Sequence, residues 1–86
     1  MPNIKQQEKR VRSAARQRLE NLRYRSTVKT LTRRLQNAVA DGDGDRIRAT
    51  HLELQRWIDR AASRGALHRN AAARKKAQAD RIASGR

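Results

Sequence analysis

Cysteine is absent from the 86 residues. That excludes disulfides, thiolate nucleophiles and cysteine-ligated zinc, and it suits a reducing compartment. Phenylalanine is absent as well, and Tyr24 and Trp57 are the only aromatic residues. Two rings provide no platform for stacking successive single-stranded bases, which argues against the modes of recognition used by RNA-recognition-motif, oligonucleotide-binding and cold-shock folds. Proline occurs only at Pro2, and glycine only at Gly42, Gly44, Gly65 and Gly85, so little in the chain interrupts a helix. No stretch approaches the ~20 consecutive apolar residues of a membrane span, and no segment sets a broad, bulky apolar face against its charges as an interfacial helix would. There is no hydrophobic region of the signal-peptide kind. The Arg-rich start has the composition of a transit peptide, but its basic pattern runs on without a break and includes Glu8 and Glu20, so it is read as part of the fold.

Catalytic machinery is missing too. No serine, histidine and acid constellation and no phosphate-cradling glycine loop is visible, so the chain is expected to be no enzyme and to need no cofactor. The run Asp41-Gly42-Asp43-Gly44-Asp45 imitates the start of a calcium loop, but Arg46 stands at the sixth position and Leu52 at the twelfth, where glycine and glutamate are required. A turn leading into a helix N-cap explains the same residues. His51 and His68 have no histidine or carboxylate at metal-ligand spacing. His51 reads as a surface or core-edge residue, and His68, next to Arg69, as a phosphate contact or a helix cap.

Positive charge is what the sequence has in excess. Lys and Arg number 22 against 8 Asp and Glu, a formal net of +14, and the isoelectric point is near 11.9. The expected partner is a polyanion, with nucleic acid favoured over membrane. The charge is also partitioned: residues 1–40 hold 11 basic and 2 acidic groups, residues 41–65 hold 5 and 5, and residues 66–86 hold 6 and 1. Solubility alone would not require that division. The two ends of the chain therefore read as polyanion-facing and the middle as a support.

The apolar content is thin, because 14 of the 31 hydrophobic residues are alanine. At roughly 25 cal/mol per Å² buried against about 1.5 kcal/mol of ordering cost per residue, the free protein should be marginally stable, and a partner should complete the fold. The intervening stretches are rich in Ala, Leu, Arg, Lys, Gln and Glu and lack alternating β-branched runs, so the fold class is all-α, a three-helix bundle in one domain. The first helix is expected from about Gln7 to Ala40, with Leu19, Leu22, Val28, Leu31, Leu35, Ala38 and Val39 along one face. Before Leu19 only Val11, Ala14 and Ala15 remain, so the helix should be long and its first turns should project. A second helix is expected from Gly44 to Ser63, capped by Asp43, apolar through Ile47, Leu54, Ile58 and Ala61, and closed by Gly65. The third should run from about Ala71 to Ser84 behind an Asn70 cap, apolar through Ala73, Ala77 and Ile82. Trp57 reads as packing between helices.

Along the first helix Lys5, Lys9, Arg12 and Arg16 recur at helical spacing, while Arg10, Arg18 and Arg25 take another side. A solvated face normally mixes signs in i,i+4 pairs, and only Glu8 and Glu20 are available for that here. A rod charged all round suits insertion between nucleic-acid helices, with recognition of phosphate and shape in folded or double-stranded RNA. Arg exceeds Lys by 17 to 5. Guanidinium grips phosphate in a fork, but GC-rich coding gives the same bias, so it adds little.

Several local runs carry a resemblance: Met1-Pro2-Asn3-Ile4-Lys5 and Lys9-Arg10-Val11-Arg12 at one end, then Ala61-Ala62-Ser63-Arg64-Gly65, His68-Arg69-Asn70 and Ala73-Arg74-Lys75-Lys76 at the other. Together they resemble the bacterial small-subunit ribosomal protein S-twenty family over essentially the whole chain. The resemblance implies a three-helix bundle with an extended first helix, a monomer within the cytoplasmic ribosome, bound to the 5′ domain of small-subunit ribosomal RNA and later touching its long penultimate helix. It implies RNA contacts at Asn3, Lys5, Lys9, Arg10, Arg12, Asn21, Arg25 and Ser26, and at His68, Arg69, Asn70, Arg74, Lys75 and Lys76. Arg16, Arg18 and Arg23 on the same basic rod complete the candidate set. Gln6, Gln7, Glu8, Ala71 and Gln78 depart from the family pattern, and Glu8 is expected to face solvent or pair with Arg12. Two other readings stay open. A basic chromosome-associated protein would bind duplex DNA as well as RNA. A helical adaptor for an acidic protein would leave Leu19, Leu22 and Leu31 partly exposed.

Overall fold

Local chemistry sets the boundaries of three helices. In the computed structural model, which describes residues 4–85, α1 is Ile4–Asp41, α2 is Gly44–Ser63 and α3 is Arg69–Ala83. The architecture is the expected helical bundle with a long first helix. Asn3, named above as a contact, lies outside the described residues, as does Pro2.

Gly42 ends α1 with φ +69°, a left-handed conformation that costs glycine nothing. Its N–H donates to the Val39 carbonyl at 3.1 Å and the Asp43 N–H to the Ala38 carbonyl at 3.2 Å, satisfying two of the last helical carbonyls. Asp43 then caps α2 as expected, its carboxylate accepting from the Arg46 N–H at 3.2 Å. Gly65 repeats the closing device at φ +78°: Gly65 N–H donates to the Ala62 carbonyl and Ala66 N–H to that of Ala61, at 3.2 and 2.8 Å. Two starts differ from expectation. α1 begins at Ile4 instead of Gln7, since nothing in Ile4 to Gln6 opposes a helix. α3 begins at Arg69 instead of Ala71, because His68 holds extended backbone and its Nδ1 accepts from the Asn70 N–H at 3.1 Å. Asn70 therefore lies in the first turn and is not the cap.

The core is small. Val28, Leu31, Leu35 and Ala38 of α1 close on Leu54, Ile58 and Ala61 of α2 and on Ala72 and Ala79 of α3, and Leu35, Leu54 and Ile58 are the largest fully buried side chains. Ile47, Trp57, Ala62, Ile82 and Ala83 pack against this centre while partly exposed. Polar ties then fix α3 to α2: Asp80 takes hydrogen bonds from His51 at 2.8 Å and from Gln55 Nε2 at 3.1 Å, and Lys76 Nζ meets Asp59 at 3.1 Å.

Leu19 and Leu22 do not join the core and are 66% and 60% exposed. Six residues from Leu22 to Val28 turn the helix by about 600°, which leaves Leu22 roughly 120° round the helix from Val28 and further still from Leu31. The six-residue step breaks the run of threes and fours, so Leu19 and Leu22 share a side with each other but not with the buried stripe. On α3, Ala73 and Ala77 are exposed, and Ala72 and Ala79 face inward instead. Alanine on every side of that helix leaves no bulk to mark the buried face.

All described residues from Ile4 to Leu19 are exposed, so α1 projects well beyond the bundle and the molecule measures 61 × 21 × 13 Å. Two consequences are testable by chemical denaturation. Leu35→Ala should cost about 2–5 kcal/mol and abolish cooperative unfolding in so small a core, whereas Leu22→Ala should stay within about 0.5 kcal/mol of wild type. Gly65→Ala should cost about 1 kcal/mol through its left-handed backbone alone, since open space surrounds the position.

Candidate nucleic-acid interface

The projecting rod presents its cations without competition from packing. Lys5, Lys9, Arg12 and Arg16 line one shallow face with Ser13 and Glu8. Glu8 turns to Arg12, 3.8 Å away with both side chains largely in solvent, so the one acid of these turns is directed at a cation as expected. Arg10 and Arg18 are exposed on other sides of the rod. Basic groups thus surround it.

Nearer the bundle, the candidate residues take on differing tasks. Asn21 accepts a hydrogen bond from Gln17 Nε2 at 3.1 Å, and Ser26 is exposed. Arg25 donates Nε–H to the Ala66 carbonyl at 3.1 Å, which ties α1 to the connection between α2 and α3 and so sets where His68, Arg69 and Asn70 stand. Arg23 lines a small hollow with Arg16, Tyr24 and Trp57. On α3, Arg69, Arg74 and Lys75 are exposed. Lys76 is different, because its ammonium is engaged by Asp59 across the helix interface and only 40% of its side chain is exposed. His68 serves as the α3 cap. The positive end of that helix lies beside Arg69 and favours an anion there.

An open groove between α1 and α3, with a volume of about 500 Å³, was not anticipated. Arg25, Lys29, Thr32, Arg33 and Gln36 line one wall, and Leu67, Lys75 and Gln78 the other. Four cations and no carboxylate face this space. Among the described residues, no acid pairs with Lys29, Arg33 or Lys75. The surface continues over the outer face of α3 through Arg74, Lys75 and Arg81. A signal for it existed in the sequence, since residues 25, 29 and 33 follow at four-residue steps, but pairing that stripe with Lys75 requires the tertiary fold.

The acids sit elsewhere. Asp41 pairs with Arg46 at 2.9 Å, Asp45 with Arg48, Asp59 with Lys76, and Asp80 with His51. The Asp41 to Asp45 run therefore makes a turn and a cap, and among the described residues no group of three or more histidines and acids could hold a metal ion. Nor is any described helix long and apolar enough to cross a membrane. What the arrangement can do chemically is bind phosphate oxygens along two surfaces, the rod and the α1/α3 groove.

Comparison with known proteins agrees with this geometry. The family model described as Ribosomal protein S20 matches residues 2–83. A protein of Shouchella clausii named small ribosomal subunit protein bS20 is 36% identical over 78 residues, covering 91% of this chain and 89% of its own. Proteins of the same name from Mycobacteroides abscessus and Streptomyces griseus are 41% identical over 76 residues and 40% identical over 85, covering 88% of both chains in the first case, and 98% of this chain and 97% of the relative in the second. With a family model spanning nearly the whole chain and relatives similar end to end, the chain belongs to the ribosomal protein S20 family.

Proposed function

We propose that this chain is a structural, non-catalytic component of the small ribosomal subunit, that it binds the subunit's ribosomal RNA directly within the 5′ domain, and that it stabilises folding and assembly of that RNA. The observation that carries the reading is the segregation of cations: an exposed basic rod and a basic groove on α1 and α3, with the paired acids other than Glu8 gathered around α2.

The mechanism is a clamp. The rod enters between RNA helices, its charge matched on several sides at once, while the groove and the start of α3 take phosphates of a second segment. Arg25, through Ala66, and the Leu35, Leu54 and Ile58 centre fix the angle between the two grips. Lys76 supports α3 from within and is a weaker candidate for contact than Arg74 or Lys75. Burial of Leu31 at 3% exposure counts against a helical adaptor for an acidic protein, although the exposure of Leu19 and Leu22 was also expected of one. A chromosome-associated protein would share the charge, and competition separates the two.

In a filter-binding titration against the 5′ domain of small-subunit ribosomal RNA, binding in the nanomolar range should survive excess duplex DNA and unrelated folded RNA. Equal loss to every competitor would mean a non-specific polycation. Neutralising roughly eight phosphates should give a log-log salt slope of about −6 to −7, and a slope near −2 would contradict two grips. Arg12→Ala, Arg74→Ala and the pair Lys29→Ala with Arg33→Ala should each weaken binding and flatten that slope while free-protein helicity is unchanged. Lys76→Ala should show the opposite pattern, a small loss of stability with the slope intact.

A further inference from the structure

The two aromatic residues, far apart in sequence, meet where the rod leaves the bundle. Tyr24 of α1 and Trp57 of α2 have ring centroids 5.6 Å apart and planes inclined at 57°, and the Arg60 guanidinium lies 5.6 Å from the Trp57 centroid. Around the rings opens a hollow of about 480 Å³ lined by Arg16, Leu19, Glu20 and Arg23. Both rings are only partly buried. Glu20 is partly buried as well, and among the described residues no cation pairs with it, although Arg16 and Arg23 are one turn away on either side.

From this geometry we infer that the Tyr24–Trp57 hollow receives one unpaired base of the bound RNA. The inference rests on the RNA-binding reading above and adds a base contact to a surface otherwise fitted to phosphate. An aromatic wall and the Leu19 side chain offer a base a stacking surface. Arg16 and Arg23 stand where the same nucleotide's phosphate would follow. Glu20 decides between occupants. A carboxylate repels a phosphate, but it accepts hydrogen bonds from the amino and imino N–H groups of a base edge, which favours guanine, the base that carries both side by side. An apolar side chain of a partner protein would fill the hollow yet leave Arg16, Glu20 and Arg23 without partners.

Trp57 is the only tryptophan, so its emission reports on this hollow directly. The full-length protein is titrated with the 5′ domain RNA, and filter retention and Trp57 fluorescence are recorded together. Saturation should quench the emission and reduce its accessibility to acrylamide. Tyr24→Leu should weaken binding about tenfold at unchanged salt slope, since stacking releases no counterions. Glu20→Gln, an exchange that keeps shape and fold, should weaken binding a few-fold, whereas a phosphate in the hollow would make that variant bind more tightly. Retention of RNA with unchanged Trp57 emission, or with wild-type affinity in both variants, overturns the base site and leaves the RNA-binding reading intact. Failure of the wild-type protein to retain the RNA overturns both.

Discussion

Repulsion among like charges is the constraint around which this molecule is organised. With 22 cations and 8 acids in 86 residues, no one-to-one pairing can engage most of the cations internally. The fold distributes the shortage unevenly. Acids near α2 engage Arg46, Arg48, His51 and Lys76, so the packed part of the molecule is close to balanced, and the excess is displaced onto the rod and into the groove between α1 and α3. Exposed ion pairs of this sort each contribute about 0–1 kcal/mol, so their main effect is to decide where positive potential accumulates.

The same constraint explains the length of α1. A bundle of this size needs only the stretch from Val28 to Ala38 for its core. The turns from Ile4 to Leu19 bury nothing and hold cations at a distance from one another. Helical order there depends on local propensity, which is weak in isolation. The core is built on Leu35, Leu54, Ile58 and their alanine neighbours, and it joins α1, α2 and α3. Arg25 links the two requirements, being a cation of the groove and a donor to the Ala66 carbonyl.

Features written in adjacent residues were legible beforehand. Gly42, Asp43 and Gly65 announce the ends of α1 and α2 because a left-handed glycine and a capping carboxylate act within a few positions of themselves. The charge partition needed only counting, and it located the basic surfaces on the correct helices. Features that depend on helical angle were misjudged: Leu19 and Leu22 are separated from Val28 by a six-residue step that takes them off the buried stripe. Alanine gave no guidance on α3, where Ala72 and Ala79 face the core in place of Ala73 and Ala77. Pairs joined only by the tertiary fold were invisible, among them Lys76 with Asp59, Asp80 with His51, and Tyr24 with Trp57. The family resemblance supplied candidate contacts residue by residue, but it could not reveal that Lys76 is occupied internally or that Lys29 and Arg33 face the same groove as Lys75.

On the proposed function, the rod is held by a polyanion while the bundle stands by its own packing. Hydrogen exchange of the protein, free and bound to the 5′ domain RNA, tests it most directly. Amides between residues 4 and 23 should exchange quickly in the free protein and become strongly protected on binding, while those around Leu35, Leu54 and Ile58 are protected in both states. Equal protection of rod and core in the free protein, or a rod that stays unprotected in the complex, would contradict the account.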